Sequence, residues 1–401
     1  MKDTSIWLPC IVFLLAGVSC EKITTDIPVN TCSFTVETGN DTNPNTLLYQ
    51  DILNESVKKG LPGVSLVVYT PEYGWWAGCA GKASIEEQTD MQPCHLFHSA
   101  SLMKPLTATM IMRLVEEKKI RIENPISDYL PEDIVNRIPN GSEITVRHLL
   151  GHTSGLGHGI FGFMESVDRL NDPDRATSFD WLMERYVYDQ PAQADVGEKM
   201  IYSNSGYDLL GMIVEEVSGM PVGDYFNQEI RDPLGLTSTY SSASPGYPDQ
   251  IPNIVNGYME IFPGELQNCS DLDMAYTRHS KGCDGLIATP YEYARMYREI
   301  LKGNILKPAT VKVMKSGENL YVEDIFCCLG LMKINPYQYG VAYGHGGIYL
   351  GITARSLYFP DSDVSVVLFT NLGQQFTSDN TRMYDSTLDE LVDVTFTGAR
   401  K

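Results

Sequence analysis

Ser101-Leu102-Met103-Lys104 stands at the start of an apolar-periodic stretch and places a hydroxyl and an amine one helical turn apart. Residues three apart on a helix share a face, with Cβ atoms ~5–6 Å from each other, so the lysine amine reaches the serine hydroxyl and can serve it as a base. The helix follows from its own pattern. Leu106, Met110, Ile111, Leu114 and Val115 recur at the 3.6-residue period, while Arg113, Glu116, Glu117, Lys118 and Lys119 fall mostly outside that stripe. Pro105 suits a helix start better than a helix interior, which puts Ser101 near the N-terminus, where unpaired amides and the positive end of the dipole favour a developing oxyanion. Taken by itself, Ser-x-x-Lys arises by chance in many chains as an N-cap serine followed by a solvated lysine.

Two further segments, in chain order, add to it. Tyr202-Ser203-Asn204 precedes a stretch in which Leu209, Leu210, Ile213, Val214 and Val217 mark a buried helix face and Gly219 a C-cap. Residues two apart in an extended or turn segment point the same way, so the Tyr202 phenol and the Asn204 amide can enter one cavity. Tyr343-Gly344-His345-Gly346-Gly347 reads as a strand and its exit, with glycines that let a substrate approach the backbone closely.

On these residues the chain resembles the serine penicillin-recognising hydrolases: class C β-lactamases, D-alanyl-D-alanine carboxypeptidases, and related esterases and D-amino-acid peptidases, whose motifs are Ser-x-x-Lys, Tyr-Ser-Asn or Ser-Asp-Asn, and Lys-Thr-Gly or a variant of it. Arg147 through Leu156 looks like the family's His-Thr-Ser-Gly-Leu signature, Tyr202 through Gly219 like its tyrosine loop and helix, and Pro233-Leu234-Gly235-Leu236 like its Pro-Leu-Gly-Met turn. The likeness runs over residues 46 to 395. It implies an α/β fold of the β-lactamase/transpeptidase type, an antiparallel sheet flanked by helices with a mainly helical second lobe. The sheet lobe would take about 46–115 and 285–395, and the helical lobe about 116–284.

The resemblance also implies roles. Ser101 would attack a carbonyl to give an acyl-enzyme, with Lys104 and Tyr202 jointly acting as general base and then proton donor. Asn204 would hydrogen-bond the acyl side chain and Lys104. The backbone amides of Ser101 and Ile348 would form the oxyanion hole, with His345, Gly346 and Gly347 beside the substrate. A free lysine titrates near ~10.4 and a phenol near ~10, so one of them must shift by about three units to work at neutral pH, and the sequence leaves open which takes the proton. No metal or cofactor is implied. The implied substrates are D-amino-acid peptides such as peptidoglycan stem peptides, D-amino-acid amides and small esters. The alternatives are a β-lactamase, a slowly deacylating penicillin-binding or sensor protein, and a non-enzymatic surface lipoprotein.

Three departures bear on that choice. His345 stands where β-lactamases carry lysine, and a histidine offers only a pH-dependent charge to a substrate carboxylate. Gly346 replaces threonine and removes a hydroxyl. Asp284, in Cys283-Asp284-Gly285-Leu286, replaces a glycine and reads as a turn residue.

Other site readings are thinner. Gly-x-Ser-x-Gly is absent, which removes support for a nucleophile elbow. His148 and His152, with His158 beyond, imitate a zinc spacing, but no Glu follows His148 and Gly151 weakens the helix. His95 and His98 read as packing residues, and Ser154 as structural.

The 401 residues, 43% hydrophobic and 20% charged, suit one composite globular domain. A formal net charge of −21 disfavours nucleic acid and anionic membrane surfaces as partners. Lys2 followed by the apolar run Ile6 to Val18 reads as an export signal over 1–19, too short to span a bilayer comfortably. Gly17-Val18-Ser19-Cys20 resembles a bacterial lipoprotein box, so a lipidated Cys20, a tether over 20–45 and a periplasmic or outer-membrane location are expected. Of the seven later cysteines, Cys79 with Cys94 and Cys269 with Cys283 are the pairs to test first, buried free thiols being the alternative. Asn40, Asn54, Asn140 and Asn268 meet the glycosylation triplet, which matters only in a eukaryotic secretory setting.

The apolar run Val64 to Tyr69, a turn over Pro71–Gly74 and Trp75 to Ala80 predict a hairpin near the N-terminus. Ile352 to Phe359 and Val364 to Thr370 predict a second, late one, with the His345 strand just before it. Helical patterns around Leu48 and Ile52, and around Tyr384, Leu388 and Leu391, open and close the domain. One sheet completed by segments distant in sequence follows from this order.

Overall fold

A computed structural model describes residue 32 and residues 42–157, 168, 171, 178–244, 251–262, 264–322, 324–373 and 378–400. The expected export run, Cys20, nearly all of the expected tether and His158 lie outside the described residues.

The strands in chain order are β1 (Gly63–Thr70), β2 (Gly74–Ser84), β3 (Thr89–Asp90), β4 (Phe97–His98), β5 (Thr239–Ser241), β6 (Tyr258–Phe262), β7 (Glu265–Asn268), β8 (Leu286–Ala288), β9 (Asn319–Val322), β10 (Ile325–Cys327), β11 (Met332–Tyr337), β12 (Gly340–Ile348), β13 (Thr353–Phe359) and β14 (Val364–Thr370). Both predicted hairpins form. β1 pairs antiparallel with β2, with Tyr69 opposite Trp75, and β13 pairs with β14, with Phe359 opposite Val364. β1 also pairs antiparallel with β14, Val64 opposite Thr370, so the two ends of the domain close one sheet in the order β3-β2-β1-β14-β13-β12-β11-β10-β9.

Alternation along the central strands explains the layers. Val64, Leu66 and Val68 of β1 with Val366 and Leu368 of β14 face a core formed with Tyr49, Ile52 and Leu53 of helix Thr46–Lys59 and Leu388, Leu391 and Val392 of helix Ser378–Thr397. Val67, Val367 and Phe369 point to the other side, into the core built on helices Lys104–Glu116, Asn204–Ser218 and Pro290–Lys302. With both faces covered, these strands are apolar at most positions, Ser65 and Ser365 being buried among them, which is why they read as nearly continuous apolar runs. The middle of the chain adds a second, three-stranded sheet, β4-β8-β5, and the separate β6–β7 hairpin.

The cysteine pairing differs from expectation. Cys94 is bridged to Cys32, with a Cα–Cα distance of 6.0 Å. Cys79, Cys269 and Cys283 are free thiols. Cys79 Sγ donates to the Met91 carbonyl at 3.0 Å, Cys269 Sγ to Asp273 Oδ2 at 3.9 Å and Cys283 Sγ to Asp208 Oδ2 at 3.2 Å. Short sequence spacing says nothing about whether two Cβ vectors converge, and here each thiol is aimed at its own acceptor.

Candidate active site

Ser101 sits in a short 3-10 turn, Ala100–Met103, that runs directly into helix Lys104–Glu116 with Pro105 in its first turn. Ala100 enters the turn at φ 44°, a left-handed conformation that costs a non-glycine residue energy and turns the chain sharply before the serine. Behind the turn Gly347 of β12 makes the closest approach: a Cβ there would lie 2.7 Å from the Ser99 carbonyl and 3.3 Å from the Ala100 side chain. The glycine lets the strand carrying His345 press against the turn carrying Ser101.

Lys104 is fully buried and its amine donates to Ser101 Oγ at 3.0 Å and to the Cys283 carbonyl at 3.1 Å. The second bond goes to a backbone oxygen, where the sequence suggested Asn204. That carbonyl is held in place by Asp208 on helix Asn204–Ser218, whose Oδ1 accepts from Ser280 Oγ, Lys281 N–H and Gly282 N–H, each at 3.0 Å.

The Tyr202 hydroxyl is hydrogen-bonded to the Ser101 side chain, and the Lys104 amine lies 5.1 Å from the Tyr202 ring centroid. The tyrosine is positioned by the segment that matched the His-Thr-Ser-Gly-Leu signature. The His152 ring stacks on it at 4.3 Å and 24°, and His152 Nδ1 accepts the Ser203 N–H at 3.1 Å. Ser203 then caps helix Asn204–Ser218, accepting the Gly206 N–H at 3.0 Å, and Gly219 ends that helix in the left-handed conformation. The second candidate zinc residue, His148, is spent on a cap as well: its Nδ1 accepts the Thr145 N–H at 3.2 Å. Among the described residues no group of three or more His, Cys, Asp or Glu converges to hold a metal ion.

Burial acts oppositely on the two candidate bases. It pushes the Lys104 amine below its ordinary value, against the pull of Asp208 and Asp284, and it pushes the Tyr202 phenol well above its own. His345 is 2% exposed, its ring centroid 6.3 Å from that of Tyr202. Its Nδ1 donates to the Gly346 carbonyl at 2.6 Å, and burial, aided by the positive Lys104 and Arg355, lowers its pKa to about 3. The imidazole is therefore neutral at physiological pH and cannot replace the lysine charge. Gly346 has another role, since a Cβ at this position would overlap the guanidinium of Arg355, its partner across β12 and β13. The missing side chain makes room for a permanent cation one residue from His345.

Ser101, Asn204 and Ile348 line one cavity of about 30 Å³, together with Ala100, Cys283, Asp284 and Tyr349. Ile348, at the end of β12, is 44% exposed. The structure thus brings Ser101, Lys104, Tyr202, Asn204, His345, Gly347 and Ile348 together, and puts Gly346 on the Arg355 side. Sequence reading passed over Arg355, Asp208 and the aromatic Tyr321, whose ring lies 5.6 Å from that of Tyr202. It took Asp284 for a turn residue, whereas the side chain is buried at the cleft.

The beta-lactamase family model matches residues 49–387. PbpX of Bacillus subtilis (strain 168), which carries the name penicillin-binding protein, is 31% identical over 323 residues, covering 80% of this chain and 74% of PbpX. Esterase EstB of Burkholderia gladioli is 33% identical over 172 residues, covering 41% of this chain and 43% of EstB. The solved structure of the D-amino acid amidase from Ochrobactrum anthropi SV3 with L-phenylalanine amide superposes with a TM-score of 0.75 at 22% identity, covering 89% of this chain and 99% of that one. Over the stretch that carries the Ser101 turn, the Tyr202 loop and the His345 strand, the chain belongs to the beta-lactamase family and is a serine hydrolase of that family.

Proposed function

We propose that the protein hydrolyses D-amino-acid peptides or small esters through an acyl-enzyme on Ser101. The observation that carries the reading is the set of bonds around Ser101 Oγ, shared with the Lys104 amine and the Tyr202 phenol. With Lys104 in its neutral form, the amine takes the Ser101 proton as Oγ bonds to the substrate carbonyl carbon. Tyr202 stays a phenol and lies where it can pass its proton to the leaving amine or alcohol, recovering one from Lys104. The carbon–leaving-group bond then breaks, and water cleaves the ester by the same relay in reverse. The amides of Ser101 and Ile348 take the oxyanion. Asn204 faces the acyl group.

A β-lactamase or slowly deacylating penicillin-binding protein is the second reading, favoured by the likeness to PbpX. It requires the cleft to hold a β-lactam carboxylate without the usual lysine. Export is part of the proposal and is supported by the Cys32–Cys94 disulfide, which persists in oxidising compartments. Lipid attachment at Cys20 would keep the enzyme at the membrane.

Steady-state rates on p-nitrophenyl esters, D-alanyl peptides and nitrocefin separate the readings. Ester or peptide turnover should exceed nitrocefin turnover in kcat/KM. The reverse order, or a stable adduct with a β-lactam and no turnover of any substrate, favours the second reading.

A further inference from the structure

The segment from Ser280 to Asp284 runs between the two helices that carry the site, and its backbone is divided between them. The Gly282 carbonyl accepts the Thr107 hydroxyl at 2.7 Å and the Cys283 carbonyl accepts the Lys104 amine at 3.1 Å, one turn apart on helix Lys104–Glu116. On the other side the N–H groups of Lys281, Gly282 and Cys283 converge on Asp208 Oδ1, at 3.0, 3.0 and 3.3 Å. One turn further along helix Asn204–Ser218, a Cβ on Gly211 would stand 2.3 Å from the Lys281 carbonyl, so the loop lies directly on that helix. Asp208 is fully buried, and its donors, these three amides with the Ser280 hydroxyl and the Cys283 thiol, are all neutral. A buried carboxylate met only by neutral donors is costly to keep. The amine whose charge it acts on is Lys104, Lys281 being ion-paired to Glu215.

One path through these bonds is continuous. Lys104 Nζ donates to the Cys283 carbonyl, the N–H of the same peptide unit, on Asp284, donates to Ser280 Oγ at 2.8 Å, and the Ser280 hydroxyl donates to Asp208 Oδ1 at 3.0 Å. Each intermediate group accepts on one side and donates on the other, so the bonds point one way and polarise one another. We propose that Asp208 and Ser280 are positioning residues for the base: the chain they anchor aims the Lys104 amine at Ser101 and steadies the ammonium that forms once the proton has moved. This inference rests on the reading of Lys104 as the base for Ser101.

Geometry and charge agree. An amine on a four-carbon stem swings freely, and a second fixed acceptor opposite Ser101 removes that freedom before the substrate arrives. The titratable groups around Lys104 are Tyr202 and Tyr207, whose ring centroids lie 5.1 and 5.7 Å from Nζ, Cys283 and Asp284 on the loop, Cys327 on β10, His345 on β12, and Asp208. Two of these are carboxyls, and Asp284 Oδ1 accepts the Ser99 hydroxyl, outside the chain. Burial, the largest influence, lowers the Lys104 amine, and Asp208 acts against it. Taking the charge from Asp208 must therefore move the amine further down. Breaking the chain at Ser280 moves it the same way without removing any charge, because the Cys283 carbonyl then meets the ammonium less polarised.

The test is a double-mutant cycle with two readouts, on the full-length chain with Asp208→Asn, Ser280→Ala and the pair. Ser280→Ala deletes a single oxygen and keeps the inference testable where Asp208→Asn disturbs folding. The first readout needs no catalysis: in a Ser101→Ala background labelled with carbon-13 lysine, the Cε resonance of Lys104, identified by its absence in Lys104→Arg, is followed against pH. Its midpoint should fall by at least ~0.5 pH in Asp208→Asn and should fall also in Ser280→Ala. A residue that only supports the fold would leave it in place. The second readout is the high-pH plateau of kcat/KM for p-nitrophenyl acetate with Ser101 intact. Each substitution should lower it by at least ~5-fold. The pair should lie within ~2-fold of Asp208→Asn, since both break one chain. A midpoint unmoved in Ser280→Ala, plateaus within ~2-fold of the unaltered protein, or losses that multiply in the pair would overturn the inference. Hydrolysis that persists in Ser101→Ala would instead remove the catalytic reading, and the Lys104 midpoints would then decide the inference by themselves.

Discussion

Lys104 and Tyr202 share a buried corner, and burial disfavours the charged form of each, so both are driven toward neutrality. A neutral amine is a base and a neutral phenol is not, so the proposed mechanism gives the base role to Lys104. The expected kcat/KM profile rises with pH as Lys104 loses its proton, with its midpoint below the ordinary lysine value of ~10.4. It carries no inflection near 6.5, because His345 stays neutral down to about 3. Lys104→Arg, which keeps a charge that cannot be lost, should lower kcat/KM by ~10²–10⁴. A profile governed by a group titrating near 6.5 and persisting in Lys104→Arg would contradict the assignment. At this scale the sequence was informative wherever side chains lie within one motif: Ser101 with Lys104, or Tyr202 with Asn204. It read Asp284 as a turn residue, because the burial of that side chain depends on Ser99, 185 residues away, and it was silent on Arg355, whose place depends on an inter-strand register with Gly346.

Among the elements, β12 and the Ala100–Met103 turn are the pair whose fit matters most. Gly347→Ala would set a methyl 2.7 Å from the Ser99 carbonyl, and because the nearest atom is backbone, the turn or the strand must shift. We expect kcat/KM to fall by ~10–100-fold, since ~1 Å of misplacement costs about that much. The loss of stability should be smaller, ~1–3 kcal/mol. Chemical denaturation beside steady-state kinetics checks this, and an activity unchanged within twofold would mean that the strand does not set the serine's position. Both hairpins were legible because their apolar runs are bounded by turn residues, Pro71–Gly74 and Pro360–Asp363. The β9–β11 strands at the other edge of the sheet were not: Leu320, Tyr321 and Val322 are exposed, so no alternation marks them. The disulfide eluded the sequence for a related reason, because bridging Cys32 to Cys94 depends on where the N-terminal segment lies.

Over the whole molecule, the closure of β1 onto β14 makes one sheet from residues some 300 apart, with the core of the Ser101 helix on one side and the terminal helices on the other. The order of strands and helices along the chain already implied that closure, since apolar runs at both ends need each other's edges. Two buried histidines tie this fold to pH. His98 and His345 are held neutral down to about 3, while in the unfolded chain a histidine takes up a proton near ~6.5. Below ~6.5 the unfolded state therefore binds more protons, and the contribution of each histidine to stability is lost as pH falls from there toward about 3. Between pH 7 and 5 the loss for His98 alone amounts to about 2 kcal/mol. Denaturation of His98→Gln at the two pH values should show a drop smaller than that of the unaltered protein by about this amount, and an identical drop would place the imidazole in contact with water.

The proposed mechanism rests on a single activated hydroxyl, that of Ser101. Intact-mass spectrometry after reaction with an active-site acylating probe, followed by peptide mapping, tests it most directly. The account predicts one adduct, on Ser101, and none on Ser101→Ala; an adduct on another residue, or equal labelling of the variant, would contradict it.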